Sequence, residues 1–184
     1  MRAASVGLGS SGKVGAMRTR ELVLIAILAA QSLLLFMLEN QIPLPVLPPG
    51  AKLGLSNIFI IMGFLLLDDF RSVLLLLILK LALSMLIAGT PIVFLYSAAG
   101  GVLSTVGMYL LFRSGLFTMG AVSAAGGFLH NLGQVTVAIW LLASDFLIFY
   151  FTVLGLVGLV TGYINGFLAQ KMTRYLKIYQ KYGG

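Results

Sequence analysis

Ionisable and amide side chains inside apolar runs are costly in lipid, and each one implies a partner or a ligand. Lys80 lies near the middle of the run from Ser72 to Ala88, too deep to snorkel to either end, which predicts an interior position facing a polar partner or a bound anion. His130, Asn131 and Gln134 sit near the centre of the run from Gly115 to Ala143. At helical spacing His130 and Gln134 share a face, and Asn131 is rotated by about a quarter turn or more. Two readings stay open: a polar ligand head held at mid-depth, or an interhelical clamp worth about a kcal/mol in lipid. Asn57 lies about one turn inside the run from Leu53 to Leu67, within reach of Lys52. Lys52, Lys80 and His130 together bias any pocket toward an anionic or electron-rich ligand.

Several chemistries are disfavoured by the same inventory. The chain has no cysteine, which excludes disulfides, thiol catalysis and thiolate metal sites. A lone histidine has no second ligand at metal-binding spacing. Asp68-Asp69 is the only acidic pair, beside Arg71 in a turn, and predicts a helix cap and a local ion pair. Chemistry on a diphosphate ester needs several carboxylates to hold magnesium, so autonomous prenyl transfer is disfavoured. No Walker A glycine loop is present. No catalytic residue, metal site or intrinsic cofactor is expected.

The elements that must position these residues are transmembrane helices. Hydrophobic residues make up 60% of the 184 residues and charged ones 9%, with a mean hydropathy of +1.07, too few charges to cover a soluble domain. A crossing takes roughly 20 apolar residues. Six runs approach that length: Leu22–Leu38, Leu53–Leu67, Ser72–Ala88, Pro91–Phe112, Gly115–Ala143 and Phe146–Ala169. The expected fold is therefore an all-α, integral-membrane six-helix bundle over residues 18–171. The fifth run is long enough to tilt or bend at Gly126-Gly127. Residues 1–17 read as a disordered leader or appended sequence without the h-region of a signal peptide. Residues 172–184 read as a basic, aromatic cytoplasmic tail extending the last helix into the headgroups.

Charge placement gives an orientation. Arg18, Arg20, Arg71, Arg113, Lys171, Arg174, Lys177 and Lys181 flank alternate ends of the runs, which predicts both termini in the cytoplasm of a multi-pass plasma-membrane protein. The net charge of +7 is thus local to the flanks. It points to anionic lipids rather than nucleic acid.

Small residues mark close helix packing: Gly158, Gly162 and Gly166 on the sixth run, Gly120 and Ala124 on the fifth, Gly100, Gly101 and Gly107 on the fourth, and Ala26 with Ala30 on the first. Contacts within the bundle and a face for a partner subunit both fit these patterns. The segment from Gln41 to Gly50 carries four prolines and is expected to be stiff and extended, as a lid over an outward pocket or as a simple interfacial cap.

With this plan, the run Pro48-Pro49-Gly50-Ala51-Lys52-Leu53-Gly54-Leu55-Ser56-Asn57 and the run His130-Asn131-Leu132-Gly133-Gln134 resemble a known family over approximately residues 18–171. It is the heptaprenyl diphosphate synthase component I family, also called Gx transporters, which look like substrate-binding S components of energy-coupling-factor (ECF) transporters. The resemblance implies a bundle that captures a small, anionic or isoprenoid-like or quinone-precursor ligand from outside. Such a bundle works with a transmembrane coupling subunit and two cytosolic ATPases that bind MgATP. The implied pocket comprises Pro49, Gly50, Lys52, Asn57, Lys80, His130, Asn131 and Gln134, and Ala26 with Ala30 match the pair that contacts the coupling subunit. The alternative is a noncatalytic membrane subunit associated with a soluble prenyl diphosphate synthase. An independent permease is a third class.

Overall fold

The computed structural model describes residues 17–41, 54–67, 69–88, 90–143 and 147–182. These form six α-helices: α1 (Thr19–Asn40), α2 (Ile58–Leu66), α3 (Phe70–Ala88), α4 (Pro91–Ser114), α5 (Met119–Leu142) and α6 (Leu147–Tyr182). A single 3-10 turn, Leu55–Asn57, leads into α2. The leader expected over residues 1–17 lies, apart from Met17, outside the described residues, as do Pro49, Gly50, Lys52 and Asp68.

Local chemistry sets the helix ends. Extended Thr90 precedes Pro91, whose fixed φ suits the first helical position. Gly115, at φ 68°, terminates α4 in the left-handed conformation. The Thr118 side chain then accepts the Ala121 N–H at 3.3 Å and caps α5. These two signals confine the fifth helix to a narrower span than the run from Gly115 to Ala143, and it continues uninterrupted through Gly126-Gly127. At the other end of the chain, α6 carries on through the aromatic and basic tail as one helix.

Among the described residues, four helices are long and apolar enough to cross a membrane: α1, α3, α4 and α6. The second run does not make a full span. Its helix, α2, has 9 residues, about 14 Å at the usual rise, under half of a typical hydrocarbon core of roughly 30 Å. Helix α5 matches α4 in length, but its apolar sequence is broken by Ser123, His130, Asn131 and Gln134, all buried.

Polarity is inverted relative to a soluble protein. Leu86 (81% exposed), Phe149 (76%), Leu34, Leu110, Val160 and Phe167 face outward, while Lys80 (5%), His130 (5%), Glu39, Asn57, Asn131, Gln134 and Asn165 are buried. An apolar exterior with polar groups turned inward is the arrangement lipid imposes. The chain is a multi-pass membrane protein.

The first two helices and α3 enclose an aliphatic core that includes Ile25, Leu28, Ile60, Ile61, Val73 and Leu76. The second half packs through glycine. A Cβ on Gly127 would run into the Gly158 carbonyl, one on Gly162 into the Ser123 carbonyl, and one on Gly133 would stand 2.6 Å from the Ala99 oxygen. The glycine stripe of α6 therefore faces α5 within the bundle, and Ser123 Oγ donates to the Gly162 carbonyl across that seam at 2.5 Å.

One end of the bundle gathers the basic flanks. Ser72 Oγ donates to Glu21 Oε1 at 2.6 Å, which brings the starts of α1 and α3 together. Lys177 Nζ donates to the Leu65 carbonyl at 3.1 Å, tying α6 to the end of α2. Phe70 stacks on Tyr109 with centroids 3.8 Å apart, bringing the end of α4 alongside.

Replacing Gly162 with Ile should force α5 and α6 apart, because the obstacle is backbone that cannot rotate away. We expect a loss of about 3 kcal/mol, at the upper end of overpacking costs, read as a lowered thermal transition of the detergent-solubilised protein. Val160→Ile, on the exposed side of α6, should leave the transition unchanged.

Candidate functional site

The buried polar residues converge on one backbone position, Gly54. Its φ of 77° is left-handed, and a Cβ there would lie 3.0 Å from His130 Cδ2 and 3.1 Å from Asn57 Nδ2. Glycine is thus required by conformation and by space. The Gly54 N–H donates to Glu39 Oε1 at 2.6 Å, and the Leu55 N–H reaches the same oxygen at 3.4 Å. The Gly54 carbonyl accepts the Asn57 N–H at 3.0 Å and Asn165 Nδ2 at 3.3 Å. Ser32 Oγ on α1 donates to the Ser56 carbonyl at 3.0 Å. Glu39 of α1 therefore takes N–H groups that the start of α2 leaves open, while Ser32 of α1 and Asn165 of α6 add side-chain donors to its first carbonyls.

Lys80 completes the junction. Its Nζ donates to Asn57 Oδ1 at 2.5 Å. Lys80 follows Phe70 by ten residues, about 15 Å along the helix, and so stands near half-depth. His130 is eleven residues past Met119, at a similar level of about 16 Å. The start of α2 thus lies deep in the bundle.

The sequence-derived site is only partly assembled here. Asn57 and Lys80 are bonded to each other, and His130 closes over Gly54. Gln134 lies 2.8 Å from His130 Nε2. With the amide nitrogen as donor, Nε2 accepts and the ring proton sits on Nδ1. Gly100 makes room for that edge of the ring, since a Cβ there would stand 2.8 Å from Nδ1. Asn131 points elsewhere: its Nδ2 donates to the Leu154 carbonyl of α6 at 2.6 Å. Pro49, Gly50 and Lys52 fall outside the described residues. Ala26 and Ala30 are exposed on one face of α1.

The cavity that the described residues enclose beside Gly54 is small. A cavity of about 10 Å³ is bounded by Gly54, Asn57, Met108, Ser123, Gly127 and Asn165, which is the room of a single water molecule at most. Among the described residues, no group of three or more histidine, cysteine or acidic side chains is placed to hold a metal ion.

Three participants are not among the residues that the sequence singles out. The first is Gly54, and a glycine interrupting an unusually short apolar segment is a recognised sign of an intramembrane site. The other two are Glu39, at the end of α1, and Asn165, within α6. Their roles depend on partners 15 and 111 residues away.

A family model described as heptaprenyl diphosphate synthase component I matches residues 28–172. The chain belongs to that family. No curated protein and no solved structure matches it.

The Asn57–Lys80 pair is open to a double-mutant cycle. Asn57→Leu removes an acceptor from a buried ammonium and should cost about 1–3 kcal/mol. Adding Lys80→Met should restore part of that loss, with a coupling of about 0.5–3 kcal/mol, measured as thermal or denaturant stability in detergent. Strictly additive losses would mean that Lys80 takes its stabilisation from other neighbours.

Proposed function

We propose that the chain is a noncatalytic membrane subunit that associates with a soluble prenyl diphosphate synthase at the cytoplasmic face of a bacterial plasma membrane. The observation that carries this reading is the family match over residues 28–172. The acidic inventory agrees with it: five Asp and Glu in the whole sequence, two of them engaged structurally, Glu39 with Gly54 and Glu21 with Ser72. That leaves too few carboxylates to manage magnesium and a diphosphate leaving group. Chemistry is therefore assigned to the partner, and membrane placement to this chain.

In nanodiscs, the purified chain should copurify with the synthase subunit of its own organism and raise its rate or alter its product length. An unchanged rate and product length, with no complex on size exclusion, would remove this reading.

A second reading is favoured by one specific feature, the interrupted backbone at Gly54. Non-helical backbone at membrane depth occurs where protein buries it or where it lines a site. As an S component of an ECF importer, the chain would capture a small anionic or isoprenoid-like ligand from outside. Asn57, Lys80, His130, Asn131 and Gln134 would bind it, with Pro49, Gly50 and Lys52 above. Ala26 and Ala30 would meet the coupling subunit, and two cytosolic ATPases would bind MgATP. Ligand entry would have to enlarge the cavity of about 10 Å³. This reading requires ATP-dependent uptake with those partners, lost in Lys80→Ala and His130→Ala; uptake that both variants retain would reject the pocket.

Both readings place all six helices in the membrane and both termini in the cytoplasm. The cysteine-free sequence allows a direct check with single substitutions. A membrane-impermeant maleimide should label Thr90→Cys from outside intact cells, and Leu116→Cys only after the membrane is opened.

A further inference from the structure

A second region of interest lies remote from Gly54. A cleft of about 570 Å³ opens at the basic end between the start of α1, the end of α2 and the tail of α6, within the range of roughly 300–1,000 Å³ usual for small-molecule sites. Arg18, Arg20 and Lys177 line it, and its apolar wall includes Val23, Ile27 and Leu66. Glu21, the acid on the wall, already accepts a hydrogen bond from Ser72 Oγ. Lys177 Nζ is held at the rim by the Leu65 carbonyl.

Lys177 also borders a second hollow of about 400 Å³, whose lining adds Arg174 and Thr173. Thr173 is 4% exposed, and its Oγ1 has no hydrogen-bond partner among the described residues. A buried hydroxyl left unpaired beside two cations is a polar position waiting for an acceptor.

The order of residues along α1 shows what kind of occupant fits. Arg18 and Arg20 stand at the helix start, and Val23 and Ile27 follow on the exposed, lipid-facing side. From Arg18 to Ile27 is about 14 Å at helical rise. An occupant must be anionic at one end and hydrocarbon along its length. Paired arginines favour phosphoryl oxygens, which their planar forks bind in bidentate fashion.

We propose that this cleft binds a phosphoryl-headed amphiphile. Arg18, Arg20 and Lys177 hold the headgroup, Thr173 and Arg174 extend the anion site, and the tail runs over Val23 and Ile27 into the bilayer. The chemistry is shared by an isoprenoid diphosphate and an anionic phospholipid. The proposal does not depend on the subunit reading, because the cleft lies wholly within this chain.

The test uses the full chain in phosphatidylcholine nanodiscs, without any synthase, and farnesyl diphosphate as the probe. Saturable binding is expected, weakened about tenfold or more by the Arg18→Gln/Arg20→Gln pair. Lys177→Gln and Ile27→Glu should each weaken it separately, which keeps the test decisive if the double variant misfolds. Arg113→Gln, also basic but outside the cleft, should bind as the wild type does. Farnesol and inorganic diphosphate, each carrying half of the chemistry, should bind at least about tenfold more weakly. Displacement of the probe by phosphatidylglycerol at equal mole fraction would assign the site to a lipid headgroup, and resistance would assign it to an isoprenoid diphosphate. Absence of saturable binding by either amphiphile, or equal weakening by Arg113→Gln, would overturn the proposal. A chain that binds the probe yet leaves the synthase unaffected would retain this site and lose the subunit reading.

Discussion

Starting a helix at half the depth of a membrane leaves backbone N–H groups with no water to bind, and this constraint organises the protein. Glu39 answers it with a carboxylate at 2.6 Å from the Gly54 N–H, a charge-assisted bond of the stronger kind. Asn165 and Ser32 provide for the carbonyl side of the same junction. The short helix α2 is therefore held in place by side chains of α1 and α6, with Asn57 linking it to Lys80 on α3. Buried charge and buried backbone stabilise each other here. Either alone would be expensive in hydrocarbon.

That junction needs room, and the glycine seams provide it. Gly100 lets the His130 ring lie against α4, and Gly133 lets α5 approach the Ala99 carbonyl. Gly127, Gly158 and Gly162 bring α5 and α6 into backbone contact, as expected where surface packing takes over from the hydrophobic effect. The close packing explains why the described residues of so polar a centre enclose a cavity of only about 10 Å³. It also makes the central cluster a structural keystone in the conformation described, while the more open hollows lie at the basic end.

The two ends of the molecule thus differ in chemistry. At the basic end, cations surround clefts that open toward both water and lipid. At mid-depth, polar side chains bond to one another and to backbone, while His130 Nδ1 and Asn131 Oδ1 have no hydrogen-bond partner among the described residues.

The sequence alone determined the solvent: the apolar runs and sparse charges required lipid, and helical periodicity put His130 and Gln134 on one face of α5. It also marked Lys80 as interior, since its distance from both ends of its run excluded snorkelling. Helix ends were legible where Pro91, Gly115 and Thr118 act through local geometry. The length of α2 was not, because hydropathy counts apolar residues without knowing where the backbone turns left-handed at Gly54. Nor was the division of labour between His130 and Asn131, since that depends on which helices flank α5. Tertiary structure alone decided that Glu39, Gly54 and Asn165 meet, because pairings between distant helices leave no periodic trace in the chain that makes them.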